Sequence, residues 1–566
     1  MKKLISLLLC VVMLLSICVV VPVSVSAQQV DIGHTSVVSG DYEYKVLSDG
    51  TAQITGYNGS DEVLVIPSKL DGITVTVLGT ESFDRKTFKQ VTIPDTVTII
   101  GSYAFTGCDS ITEINIPDSV TEIQRDAFSS CDNLKTVVIG DSVEVIEKNA
   151  FNNCGSIKNV TFGDSLKTIG EFAFYYCTSV RTIEIPDSVE SIGGCAFQNC
   201  KYLSKLTIGN GVKSIGSNCF NNCVRLSEVT IPDSVETMGM CAFSSCDALK
   251  TAVVGDGLKA LPREAFAYCP LLESIDLGQI ESIGLMAFID CVALKEIEIP
   301  DTVVTIEKMA FEGCDGLTDV VIPDSVVTMG GFIFEDCSNL VTVKIGNSAK
   351  AIGEYTFLRC KKLESVIIGD SVETIGEHAF EYCDVLKTVN IPDSVITIDK
   401  YAFKTCPLLE NITLGSSVMN LKTGAFDGCK SITEIILPES VENVDSYCFV
   451  GCDRLDKVVV MNPDCLIYDG SSTLPAHTVI FGYEDSYAQI YAEEQDREFV
   501  LIKLGDADIS GNISISDATT IQLHLALQQE INDAILKLAD TDRNSKVSIM
   551  DATQIQLFIA QLIPEL

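Results

Sequence analysis

The stretch FYYCTSVRTIEIPDSVESIGGCAF, Phe174–Phe197, runs from one phenylalanine to the next and carries one full repeat of the chain. Phe174, Cys177 and Val180 stand three apart, a spacing that predicts a tight helical turn. Ile183 and Ile185 alternate with Thr182 and Glu184, the pattern of a strand with one buried face. Pro186, Asp187 and Ser188 make a turn: proline presets φ, and the short polar side chains bond to nearby backbone. Val189 and Ile192 turn inward again, and Gly193 permits a bend. Other repeats carry Gly140, Gly163 or Gly369 where this one has Pro186.

Outward from this unit, the cysteines set the period. Cys108, Cys131, Cys154, Cys177, Cys200, Cys223, Cys246 and Cys269 are each 23 residues apart. One step of 22 leads to Cys291, and the period of 23 resumes through Cys452. A phenylalanine precedes each of these by three residues, from Phe105 to Phe449, and Phe83 starts the series with Lys86 in the cysteine place. A fixed period of this length predicts a solenoid. One unit cannot bury its own apolar edge, but stacked units can. At about 4.8 Å per coil, the repeats would make a rod of roughly 75–80 Å, its phenylalanines and isoleucines forming core ladders.

The cysteine ladder reads as a column of small, buried, apolar thiols. Disulfides between adjacent coils stay open, because a spacing of about 4.8 Å lies within bonding range. Cys195, Cys219, Cys241, Cys448 and Cys465 lie off the ladder. A zinc site is disfavoured, since no close cysteine pairs recur with histidines and the chain has only four histidines. His34, His378, His477 and His524 sit in no nucleophile or metal motif.

The N-terminus, MKKLISLLLCVVMLLSICVVVPVSVSA, has Lys2 and Lys3, an apolar run, then Val25-Ser26-Ala27. This predicts a cleavable secretory signal; a membrane anchor is the lesser alternative. Cleavage removes two lysines and no acid, taking the net charge from −39 to −41. Such a chain repels nucleic acid and anionic surfaces.

The polar strand positions fall eight and ten residues after each phenylalanine: Glu113 and Asn115, Thr182 and Glu184, Glu228 and Thr230, Ser274 and Asp276, Glu296 and Glu298, Thr388 and Asn390. This strip carries no aromatic residue and the chain no tryptophan. Sugar platforms commonly stack on rings, so a protein or peptide ligand fits better than a crystalline polysaccharide. A merely solvated sheet face remains open.

The pattern IPDSV…IG..AF..C..L resembles the BspA-like class of bacterial leucine-rich repeats across roughly residues 40–500. Gly40–Gly79 resembles that family's N-terminal cap, and Thr478–Ile502 its closing cap. The resemblance implies adhesion or ligand binding at a bacterial surface.

Beyond the repeats, one acidic loop occurs twice: DADISGNISISD, Asp506–Asp517, and DTDRNSKVSIMD, Asp540–Asp551. Calcium takes oxygens from loop positions 1, 3, 5, 7, 9 and 12, with glycine at 6. The first loop offers Asp506, Asp508, Ser510, the Asn512 carbonyl, Ser514 through water, and Asp517, with Gly511 at the turn. The second offers Asp540, Asp542, Asn544, the Lys546 carbonyl, Ser548 and Asp551, with Ser545 replacing the glycine. DATTIQLHLA follows in the first copy and DATQIQLFIA in the second. Ala518, Ile521 and Leu525 predict one apolar helix face, which Ala552, Ile555 and Ile559 repeat. This duplicated loop and helix resembles a type I dockerin over residues 504–566. The resemblance implies two structural Ca2+ ions and calcium-dependent docking onto a cohesin module of a scaffoldin, as in a cellulosome. It places partner choice at Ile515, Ser516, Gln522 and Leu523, and at Ile549, Met550, Gln556 and Leu557.

The fold class expected is a mainly β repeat solenoid of leucine-rich type, its coils carrying short helical turns, with a small all-α dockerin. The expected order is signal peptide 1–27, N-terminal cap 28–80, repeats 81–461, closing cap and linker 462–503, and dockerin 504–566. No stretch is left for a catalytic domain, so the reading is a secreted, non-catalytic binding protein. The competing reading is an enzyme or auxiliary factor of polysaccharide degradation borne on a dockerin.

Overall fold

The computed structural model describes residues 36–468, 473–526, 533–544, 546–561, 563 and 566. The expected signal segment lies outside the described residues. Each coil but the one at Glu296–Glu298 lays down two short strands. In the coil of Phe174 they are Thr182–Glu184 and Ser191–Ile192. Each pairs in parallel with its counterpart one repeat on: Thr182 opposite Lys205, and Ser191 opposite Ser214. Stacking therefore produces two parallel ladders along the rod, with Ile183 and Ile192 pointing into a continuous core. The chain is a β-solenoid with little helix.

The turn around each phenylalanine differs from the helical turn that its three-residue spacing predicts. Alternate backbone N–H groups bond across coils, and those between them bond three residues back along the chain, as Tyr175 does to Phe172 at 3.1 Å. The N–H of Phe174 donates to the carbonyl of Ala196 at 2.8 Å, and that of Tyr176 to Gln198 at 3.0 Å. The residues two before and two after the phenylalanine, Phe172 and Tyr176, have φ of 56° and 59°. Those left-handed positions flatten the segment and aim its amides at the next coil. A helix would have spent the same donors on itself.

The seventeen ladder phenylalanines from Phe83 to Phe449 stack ring on ring, near parallel, at 5.0–5.9 Å. Nearly parallel equivalent rings report the coil spacing on their side. The cysteines beside the rings are buried and free. Each ladder thiol donates to a phenylalanine carbonyl of the preceding coil, as Cys177 does to Phe151 at 3.3 Å and Cys337 to Phe311 at 3.2 Å. Cysteine recurs because it fills an apolar niche and still satisfies that carbonyl.

An antiparallel ribbon, Val37–Ser39, Tyr42–Val46 and Ala52–Tyr57, covers the first coil. Tyr57 packs there on Phe83 and Phe88 at 5.8 and 5.7 Å. At the other end, strands Val479–Gly482 and Phe499–Leu501 extend the ladder around helix α1, Tyr487–Glu494. Three helices follow among the described residues: α2 Ile515–Leu525, α3 Asp533–Ala539 and α4 Ile549–Ile559. Ala507, Ala518, Ile521, Ala539, Ala552 and Ile555 form their core. The apolar faces predicted for α2 and α4 end a turn early. Leu525 and Ile559 are each 40% exposed, because the helices pack together through their first turns.

Candidate metal centres and partner surface

The two acidic loops each end in a helix whose start is capped the same way. The Ser514 hydroxyl oxygen accepts from Ser516 N–H at 3.1 Å, and Asp517 accepts from Ser514 N–H at 2.7 Å. Ser548 and Asp551 repeat these contacts at 3.1 and 2.7 Å. This reciprocal capping box fixes the last loop carboxylate relative to the helix axis. Ser514 and Ser548, read from sequence as ligands at position 9, also cap their helices.

In the first loop, carboxylate oxygens of Asp506, Asp508 and Asp517 lie within 4.8 Å of one another, and in the second those of Asp540, Asp542 and Asp551 do so. Backbone amides hold them in place. Ser510 N–H donates to Asp506 and Asp508 at 2.9 and 3.1 Å, Gly511 N–H to Asp506 at 2.9 Å, and Asp508 N–H to Asp517 at 3.0 Å. Asn544 N–H donates to Asp540 and Asp542, both at 3.1 Å, and Asp542 N–H to Asp551 at 3.2 Å. Burial pushes the carboxyls of Asp506 and Asp517 above their ordinary range. At Asp508 burial acts the same way, but hydrogen bonds from Ser516 and Ser510 outweigh it and the pKa falls. Three converging carboxylates repel one another, and an all-oxygen donor set suits a hard divalent ion such as Ca2+. Asp506, Asp508 and Asp517 in one loop, and Asp540, Asp542 and Asp551 in the other, would hold it.

The other expected ligands are less committed. Ser510 Oγ donates to the Asn512 carbonyl at 3.0 Å, so those two oxygens bond to each other. Lys546 N–H donates to Asn544 Oδ1 at 3.0 Å. Ser545 lies outside the described residues.

The first loop also touches the rod. Gly511 has φ of +84°, and a Cβ there would lie 2.5 Å from Val500 Cγ1 on the last strand. Ile509 and Leu538 bury themselves with Val459, Met461, Phe481 and Ile502 of the closing coils, and Lys537 forms an ion pair with Glu439. This seam was not evident in the sequence. Its signal was the succession of Ile436 and Val459 at one outward strand position in adjacent coils, with Met461 where earlier coils carry Pro or Gly. The partner positions face elsewhere: Ile515, Ile549 and Met550 are 60%, 56% and 58% exposed. Ser516 and Gln556 are exposed, while Gln522, Leu523 and Leu557 are half-buried.

Sequence reasoning also missed an aromatic column on the rod. Phe332, Tyr355, His378 and Tyr401 stack through consecutive coils at 4.5, 4.7 and 5.1 Å. The signal is present, two residues before each ladder phenylalanine. The rings lie face to face along the rod, so the faces of Tyr355 and His378 are covered on both sides by their neighbours.

Comparison with known proteins agrees with the solenoid. The family model for the BspA type leucine rich repeat region matches residues 76–204, 167–294, 281–410 and 350–469. A crystal structure of a leucine-rich repeat protein from Bacteroides ovatus is 26% identical, with TM-score 0.55, and covers 82% of this chain and all of its own. A leucine rich cell surface protein from Faecalibacterium prausnitzii is 25% identical, with TM-score 0.37, over 76% of this chain and 95% of its own. No curated protein matches the chain. Among the described residues, no helix is long and apolar enough to cross a membrane.

Proposed function

We propose, from the premise that the chain belongs to the BspA-type leucine-rich repeat family, that it is a secreted, non-catalytic binding protein attached to a bacterial surface assembly. The rod presents its strand face to a protein ligand. The C-terminal module binds two structural Ca2+ ions and docks onto a cohesin module of a scaffoldin. The observation that carries this reading is the pair of carboxylate triads, each backed by an identically capped helix. Further support comes from orientation: the module meets the rod through Ile509 and Leu538, leaving Ile515, Ile549 and Met550 exposed. Metal binding and module folding are then coupled, because the ion neutralises charges the fold has gathered.

The test is a capture experiment with residues 28–566, loaded with Ca2+ and exposed to surface extract of the producing organism. Elution proceeds first with chelator, then with denaturant, and each fraction is identified by mass spectrometry. A cohesin-bearing protein in the chelator fraction supports the tether, and proteins held until denaturant are ligands of the rod. An empty chelator fraction overturns the docking role.

A further inference from the structure

The repeat is broken once in the period, and the coil that follows lacks the first of its two strands. Cys269 to Cys291 is the step of 22 residues, and the rings flanking it, Phe266 and Phe288, stand 5.9 Å apart, the widest spacing of the stack. In the next coil the segment Glu296–Glu298 occupies the strand position but pairs with neither neighbour. In every other described coil the equivalent strand pairs on at least one side. Ile297 and Ile299 are more than nine-tenths buried, and their backbone groups bond to no other part of the described chain. Unpaired polar groups at such depth cost about 1–3 kcal/mol each.

A groove of about 1880 Å³ opens over this defect. Eight of its lining residues are Asp or Glu, and none is Lys, Arg or His. Asp276 and Glu298 occupy the same register on adjacent coils, and so do Glu296 and Asp319. Like charges placed so are mutually destabilising. Two carboxylates elsewhere on this face have a lysine one coil away: Glu184 with Lys205 at 3.2 Å, and Glu434 with Lys457 at 3.2 Å. The nearby Lys295 is already paired with Glu273 at 3.0 Å. Among the described residues, Glu296 and Glu298 have neither an ion pair nor a hydrogen bond.

We propose that this groove binds an arginine-bearing segment of a protein partner, with the guanidinium seated among Asp276, Glu296, Glu298 and Asp319. This deepens, and rests on, the reading of the rod as a protein-binding surface. The argument is charge complementarity together with unpaired backbone in the groove floor. Five planar donors on one cation match two carboxylates at once, and an ammonium does this less well. Exposed Val253 and Val321 beside the acids give the arginine stem apolar surface to lie on.

The experiment measures binding of three short peptides to residues 28–566 by calorimetry: alternating Arg-Thr, its Lys twin and its citrulline twin, which keeps the shape and loses the charge. The expected order is arginine, lysine, citrulline, with the last at least about tenfold weaker. Asp276→Asn with Glu298→Gln, both exposed and away from the core, should weaken the arginine peptide by a similar factor. Citrulline binding as tightly as arginine, or unchanged binding to the double variant, overturns the proposal. If the arginine peptide does not bind while wild-type rod still retains proteins until denaturant, the groove assignment falls and the rod's role stands. If the rod retains nothing, that role falls as well.

Discussion

The rod and the C-terminal module are both made by copying, and the copies fare differently. In the rod, a copied coil enters a nearly identical environment: ring after ring stacks on the last, and thiol after thiol donates to the same carbonyl. In the module, a loop and helix copied once enter two environments. The first loop abuts Val500 and is sealed by Ile509, whereas Arg543 stands at the corresponding place in the second. Translation along a rod preserves neighbours. A pair folded back on itself against a third body cannot.

The sharpest way to break this comparison is to hollow the rod at two coils. Phe128 and Phe357 are fully buried, with ring neighbours at 5.1–5.2 Å and 5.1–5.6 Å. Phe128→Ala and Phe357→Ala should each cost about 3–5 kcal/mol. Equivalent environments require the two losses to agree within about 1 kcal/mol, as read by denaturant unfolding. A much larger gap would show that repetition in sequence does not give repetition in energy.

The module should show the opposite. Asp517→Ala and Asp551→Ala each remove one carboxylate and one capping box, so calorimetric titration should count one Ca2+ in place of two for either variant. Each loses about 1–2 kcal/mol from the cap alone. Asp517→Ala should lower the melting temperature further, because its loop also carries the seam with Phe481 and Ile502. Equal melting temperatures would mean the seam contributes nothing.

The solenoid was legible in the sequence because a period of 23 is a long-range signal, repeated until chance is excluded. Its turn conformation was not. Three-residue spacing suits both a helical turn and a flat turn that bonds to the next coil, and only the stacked neighbour decides between them. The acidic loops were legible for the same reason as the rod, duplication, but the capping use of Ser514 and Ser548 was not. A hydroxyl at that place serves a metal or a helix equally well until backbone geometry is known. The seam between rod and module escaped because it joins residues distant in sequence with no shared period.

Decoration of the copied coil breaks the rod's uniformity at one cluster. Glu312 lies among Glu335, Asp290 and Asp336, and burial first, then those charges, push its carboxyl up to about 7. The folded protein then keeps a proton that the unfolded chain has released. Stability from this group is present at acid pH and declines as pH rises from the ordinary carboxyl value of 4.5 towards 7. Glu312→Gln should flatten that slope and leave the protein more stable than wild type at pH 8, read as melting temperature against pH. An unchanged slope would assign the pH dependence to other acids.

The smallest effect concerns thiol chemistry, where the comparison narrows to cysteines on and off the ladder. Burial pushes Cys177 and Cys223 up to about 12, so almost no thiolate forms at neutral pH, and the thiolate is the reactive form. Cys195 and Cys241 are only half-buried. Cys241 is still raised to about 11, by burial and then by its hydrogen bond to Glu264. These two should therefore react slowly with a thiol reagent in the native state, ahead of the ladder, while Cys177 and its equivalents stay silent until denaturant is added. Mass mapping of the labelled sites decides it. Labelling of ladder cysteines in native buffer would mean that coils open locally, and the uniform core inferred from the ring stack would have to be divided into coils of unequal stability.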